Sequence, residues 1–120
     1  MVALRLSSEP RDGCVVVAAG GDLDIVTSRE FDDYLTKLRR GCRHLVIDLS
    51  AVTFMDTSSL AVIVGHWKKL TAGGGTLSLA GARYRHTKTL WITGLAHRLP
   101  LYDTAAEAVA ALPASSPRGD

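Results

Sequence analysis

The short apolar run Leu45-Val46-Ile47-Asp48-Leu49 leads through Ser50–Met55 to a polar cluster, Asp56-Thr57-Ser58-Ser59. Apolar residues at helical spacing follow it: Leu60, Ile63, Val64, Trp67 and Leu70. A β-branched, nearly continuous run is what a strand covered on both faces requires. The Asp/Thr/Ser cluster supplies side-chain acceptors for the free N–H groups of a helix first turn. A buried strand feeding an amphipathic helix restricts the chain to folds in which helices pack on a parallel or mixed sheet. Ala72-Gly73-Gly74-Gly75 closes that helix as a flexible connection to the next strand. The glycines lack the Lys-Ser/Thr pair of a phosphate-binding loop and follow a helix instead of opening one.

The rest of the chain repeats the alternation. Val2, Leu4 and Leu6 fall on one face of a short strand, which Ser7–Gly13 breaks, and Cys14–Ala19 gives a second strand ended by Gly20-Gly21. The two read as a hairpin. Thr27 opens a helix with Glu30 at capping-box spacing, and Phe31, Tyr34, Leu35 and Leu38 form its apolar face. Lys37, Arg39 and Arg40 suit its C-terminal dipole and Gly41 stops it. Thr76–Ala80 is the next strand. A helix over 84–93 with Leu90 and Trp91 facing in, ended by Gly94, comes next. Leu99–Tyr102 is a short strand, and Thr104 with Glu107 caps a last helix whose apolar side is Val109 and Leu112. The expectation is an α/β fold: a small, mostly parallel (mixed) sheet of four to five strands flanked by about four helices. It forms one domain over 1–112 with a frayed, Pro/Ser-rich tail at 113–120.

Composition narrows the function. With 120 residues, 47% hydrophobic and 22% charged, the chain supports one ordinary globular core. A formal charge of +2 does not argue for nucleic acid. The longest unbroken apolar run, Cys14–Ala19, is far below the roughly 20 residues that span a bilayer. No signal peptide is visible at Met1–Arg5, so a cytoplasmic location with no membrane insertion is expected. Cys14 and Cys42 then read as free thiols, Cys14 buried in its strand.

Few residues offer chemistry. His44, His66, His86 and His97 read as surface or boundary residues, and none sits at ligand spacing, so no metal and no cofactor are expected. Lys68-Lys69 and Arg83-x-Arg85-His86-x-Lys88 read as solvated helix faces, with a partner-binding patch the minority alternative. Arg118-Gly119-Asp120 reads as a chance tripeptide. An enzyme using Ser58 as nucleophile lacks a visible base and a G-x-S-x-G elbow. Asp56-Thr57-Ser58-Ser59 is richer in capping residues than one helix start needs.

Residues 48–62, Asp48-Leu49-Ser50-Ala51-Val52-Thr53-Phe54-Met55-Asp56-Thr57-Ser58-Ser59-Leu60-Ala61-Val62, resemble the signature D-L-S-x-V-x-F-M-D-S-S-G-L-x-x-L of STAS domains of bacterial anti-sigma factor antagonists. Gly21-Asp22-Leu23-Asp24 resembles that family's G-E-L-D, and Thr93-Gly94-Leu95 its S-G-L. Thr57 stands for the motif's first Ser and Ser59 for its Gly. The resemblance implies a non-enzymatic binding module. Its unphosphorylated form binds an anti-sigma factor, itself a Ser/Thr kinase, and so releases a sigma factor. That kinase phosphorylates the antagonist and a Ser/Thr phosphatase reverses it. The matching acceptor is Ser58, with Thr57 and Ser59 as alternatives, and the partner-binding residues are Asp24, Asp56, Thr57, Ser58 and Ser59. The alternative is a stand-alone STAS protein serving a lipid-transport or other signalling complex.

Overall fold

The computed structural model describes residues 2–11 and 13–112. The expected tail at 113–120, with its Arg118-Gly119-Asp120 tripeptide, lies outside the described residues. Among those described, strands β1 (Arg5–Arg11), β2 (Cys14–Leu23), β3 (His44–Met55), β4 (Thr76–Ala80) and β5 (Leu101–Tyr102) form one sheet in chain order. β1 is antiparallel to β2, and the remaining pairs are parallel. Helices α1 (Ser28–Arg39), α2 (Thr57–Ala72) and α3 (Tyr84–Ile92) make the parallel crossovers, and α4 (Ala105–Ala110) follows β5. Crossovers of one hand that all step in the same direction leave their helices on one face of the sheet. Phe31 and Leu35 of α1, Leu60, Ile63 and Trp67 of α2 and Leu90 of α3 accordingly share one core with Val17, Leu45, Ile47 and Leu79. α4 covers part of the other face, where Ala108 packs with Cys14, Val16, Val46 and Ala80. Each fully buried Leu or Ile of the larger core contributes roughly 1.5–3 kcal/mol.

The strand and helix order agrees with the sequence reading, but several boundaries move. β1 runs through Ser7–Arg11, where a break was expected, and reaches the pair Arg11↔Cys14. An edge strand needs hydrogen bonds on one side only, so it accepts polar residues and even Pro10. β2 likewise continues past Gly20-Gly21 to Leu23, with register shifts between Ala18 and Gly20 and between Gly21 and Asp22. Gly21 adopts φ +85°, and a Cβ there would lie 2.0 Å from the Ala3 carbonyl oxygen. The glycines thus let the N-terminal segment cross close to β2 instead of ending it.

On α3, Leu90 is buried as expected, but Trp91 does not face in: it is 44% exposed. Successive helix residues are about 100° apart, and the inward positions are Thr87 and Leu90. Gly94 ends this stretch at φ +81°. The capping box of α4 forms in full: Thr104 Oγ1 accepts the Glu107 N–H at 3.1 Å and Glu107 Oε1 accepts the Thr104 N–H at 3.2 Å. Gly73–Gly75 is not a loose loop. The Gly73 and Gly75 N–H groups bond Leu70 O at 3.1 and 2.8 Å, and a Cβ on Gly75 would meet Arg43 O at 2.1 Å.

Candidate functional site

β2 and β3 end side by side, with Leu23 opposite Met55, and each feeds a helix. The Asp56 N–H donates to Leu23 O at 3.1 Å, which ties the two loops together. In the first loop Asp24 Oδ1 accepts the N–H groups of Val26 and Thr27, each at 3.0 Å. Such a side-chain turn at Asp24 replaces a cap three residues later, at Thr27. The capping box expected between Thr27 and Glu30 is therefore not made: Thr27 has helical backbone and no cap bond. Its hydroxyl instead donates to Asp22 O at 3.0 Å and accepts the Asp24 N–H at 2.9 Å.

In the second loop Asp56 is the N-cap of α2, extended at φ −107° and ψ 179°, and its Oδ1 accepts the Ser59 N–H at 3.2 Å. The same oxygen accepts the Ser58 hydroxyl at 2.5 Å, a length typical of charge-assisted bonds. Desolvation alone would raise the Asp56 pKa. The Ser58 hydroxyl and the N–H groups of Ser59, Ser58 and Ile25 outweigh it and hold the carboxyl below its ordinary value. The lowered pKa makes this carboxylate a weaker base toward a serine hydroxyl than an ordinary one.

The three adjacent hydroxyls differ sharply. Thr57 is exposed and Ser58 half-buried. Ser59 is 0% exposed and its Oγ has no hydrogen-bond partner. Helix periodicity accounts for this, because Ser59 precedes Ile63 by four residues and shares its inward stripe. The structure therefore gathers Asp56, Thr57 and Ser58 at the surface, turns Ser59 inward, and sets Asp24 beside them through Ile25. The groove between α1 and α2, about 290 Å³, runs from Ser58 past Ala61 and Gly65 to Asp32, His66 and Lys69. An apolar groove of about 370 Å³ lies on the other flank, between α2 and α3, starting at Thr57. Ala61 and Gly65 line both, so α2 presents a low ridge that another chain can approach closely.

A histidine of α2 also departs from its expected setting. His66 is not at the surface: it is 2% exposed. Its Nε2 lies 2.6 Å from Asp32 Oδ1 and its Nδ1 accepts from Arg39 Nε at 3.1 Å. An accepting Nδ1 makes Nε2 the protonated nitrogen, which donates to Asp32. Burial lowers the His66 pKa and outweighs the raising effect of Asp32, while Arg39 and Lys69 lower it further. The signal was present in the sequence, because Ser59, Ile63, His66 and Leu70 recur at helical spacing along one stripe. The Ile25 contact had no such signal, since it depends on two loops meeting. No cluster of three or more His, Cys, Asp or Glu able to hold a metal occurs among the described residues.

The model of the STAS domain family matches residues 5–108. The chain belongs to the STAS domain family. This STAS chain is 31% identical over 113 residues to an anti-sigma F factor antagonist of Paenibacillus polymyxa, covering 91% of this chain and 95% of the relative. It is 32% identical over 93 residues to an anti-sigma-B factor antagonist of Staphylococcus aureus, covering 77% and 86%. The crystal structure of an anti-sigma factor antagonist from Mycobacterium paratuberculosis is similar with TM-score 0.82 and 27% identity, covering 91% of this chain and 93% of that one. These STAS relatives are thus named for antagonising anti-sigma factors, and they match between 77% and 91% of this chain.

Proposed function

We propose that this STAS protein is an anti-sigma factor antagonist that docks on its anti-sigma factor through the surface around Ser58 and is switched off by phosphorylation of Ser58. The observation that carries this reading is the Ser58 hydroxyl, accessible in the first turn of α2 and oriented by the N-cap Asp56. Near full-length similarity to proteins named for this activity supports it. The buried Ser59 hydroxyl is out of reach of a kinase, which favours Ser58 and leaves exposed Thr57 as the other acceptor. The anti-sigma factor acts as the Ser/Thr kinase and a separate phosphatase reverses the modification. The protein itself catalyses nothing and works in the cytoplasm.

The switch follows from charge. A phosphate on Ser58 adds about −1.5 to −2. In the free protein it lies at the N-terminus of α2, where the dipole favours an anion, so the fold survives. Asp56 next to it, with Asp24 beside the same loop, makes the surface more negative still. A partner that docks there must then bury an anion without a prepared cation. Such burial costs about 2 kcal/mol or more, so affinity falls by at least roughly thirtyfold. The test is to incubate the protein with its cognate anti-sigma kinase and ATP, map the phosphate by mass spectrometry, and titrate both forms calorimetrically against that kinase. Phosphate on Ser58 with loss of binding is the expected result. Phosphate confined to Thr57 or Ser59, or equal affinities of the two forms, overturns the reading.

A further inference from the structure

The stretch from Thr57 to Tyr102 carries Lys68, Lys69, Arg83, Arg85, Lys88 and Arg98 but not a single Asp or Glu. All carboxylates of the chain lie outside it, so the small net charge conceals a strongly one-sided distribution. α3 sits inside this acid-free stretch. Its inner side is Thr87 and Leu90. Its outer side repeats at helical spacing: Tyr84, Arg85, Lys88, Trp91 and Ile92, all exposed. Tyr84 is 64% and Ile92 77% exposed, and the His97 ring packs edge-on against the half-exposed Trp91 with centroids 6.0 Å apart. Among the described residues none of these cations is ion-paired. A single exposed apolar side chain needs no explanation, but three large ones along one stripe do.

We propose that the outer face of α3 is a docking surface for an anionic lipid headgroup layer. The arrangement of the charges selects this occupant. Protein interfaces gather apolar residues in a core and exclude lysine to the rim. Here Arg85 and Lys88 lie between Tyr84 and Trp91 along the stripe, so a protein partner would need a carboxylate placed against each. A layer of anionic headgroups supplies negative charge at every position, and it accepts Trp, Tyr and Ile tips at the depth where Lys and Arg reach phosphate. Nucleic acid would meet the charges but has no use for a protruding Ile92. The contact is peripheral: no helix among the described residues is long and apolar enough to cross a membrane. It uses no residue of the Ser58 switch and does not depend on that reading.

The experiment is co-sedimentation of the full chain with vesicles of equimolar phosphatidylcholine and phosphatidylglycerol, compared with phosphatidylcholine alone. Binding to the anionic vesicles, at least about tenfold tighter than to the neutral ones, is expected. It should weaken as salt rises from about 50 mM to roughly 500 mM and screening shortens. Tryptophan fluorescence should shift to the blue on binding, and Trp91→Phe should abolish the shift, since Trp67 is already buried. The double change Arg85→Glu/Lys88→Glu should weaken binding more than about tenfold, each lost cation contributing roughly fivefold. Ile92→Ser, at an outward position, should weaken it severalfold with an unchanged circular dichroism spectrum, and Ser58→Ala should bind like the parent. Equal binding to both vesicles, no binding, or indifference to the charge and Ile92 changes overturns the proposal. So does association of this face with a single-stranded oligonucleotide or a second copy in place of the vesicles.

Discussion

Asp56 combines two tasks on one carboxylate. It caps α2 through the Ser59 N–H and orients the Ser58 hydroxyl. Asp56→Ala should cost about 1 kcal/mol of stability, as loss of an N-cap does, and Asp56→Asn less, since the amide oxygen still accepts. The pH dependence follows from the depressed carboxyl. Its stabilisation is present above the unfolded value of about 3.9 and is lost as pH falls through the lower folded value. Urea titrations from about pH 5 to about pH 2 should show this acid loss in the parent and a shallower slope in Asp56→Asn. Ser59 makes the opposite case. Its buried Oγ has no partner, so Ser59→Ala should leave stability unchanged or raise it by up to about 1 kcal/mol, measured by the same titrations. Marked destabilisation there would mean that the hydroxyl has a partner after all.

At the scale of elements, His66 joins α1 to α2. Asp32 and Arg39 of α1 take one ring nitrogen each. Removing the ring in His66→Ala leaves both groups without their partner and a space in the helix interface, at about 2–3 kcal/mol. The folded state keeps the ring neutral to a lower pH than the unfolded chain does. As pH falls below about 6.5 the unfolded chain takes up the proton first, so stability drops down to the folded value. Denaturation at about pH 7.5 and about pH 5.5 should show that drop in the parent and a smaller one in His66→Gln. An equal drop in both would remove His66 as its source. On the other face of the sheet α4 is held by a small contact, Ala108 against Val46 and Ala80. Ala108→Asp would bury an unpaired carboxylate there and should cost about 3 kcal/mol or more, with hydrogen exchange fastest in residues 101–112.

For the whole molecule the decisive feature is that strand order equals chain order. Every parallel crossover then packs its helix on one face, and the ends of β2 and β3 bring two loops together at the start of α2. Ser58, the proposed switch residue, therefore lies at the rim of the domain, where a change of charge would alter docking without entering the core. Ser58→Glu should keep the parent melting temperature within a few degrees, because the new carboxylate is solvated and favourably placed at a helix N-terminus. It should bind the anti-sigma factor less well than the parent but better than the phosphoprotein, which carries more charge. Thermal melts by circular dichroism alongside calorimetric titration separate the two effects. A mimic that melts many degrees lower would make Ser58 a structural residue.

Local patterns in the sequence were enough for the strand and helix order, the Thr104–Glu107 cap, the Gly94 stop and the inward stripe of α2, because each depends on neighbours within one or two turns. The motif at 48–62 also carried the family and the position of the candidate site. Tertiary structure decided what depends on distant partners. Pairing with β2 held Ser7–Arg11 extended despite its polar composition. The turn built on Asp24 drew the Thr27 hydroxyl away from capping. The stripe of α2 that holds Ser59 and His66 was legible, but the partners of His66 on α1, Asp32 and Arg39, were not. The side of α3 that packs on the core put Leu90 inside and Trp91 outside. In each case the local preference was worth at most about 1 kcal/mol. Contacts from elsewhere in the chain, made by burial and by pairing of buried polar groups, outweighed it.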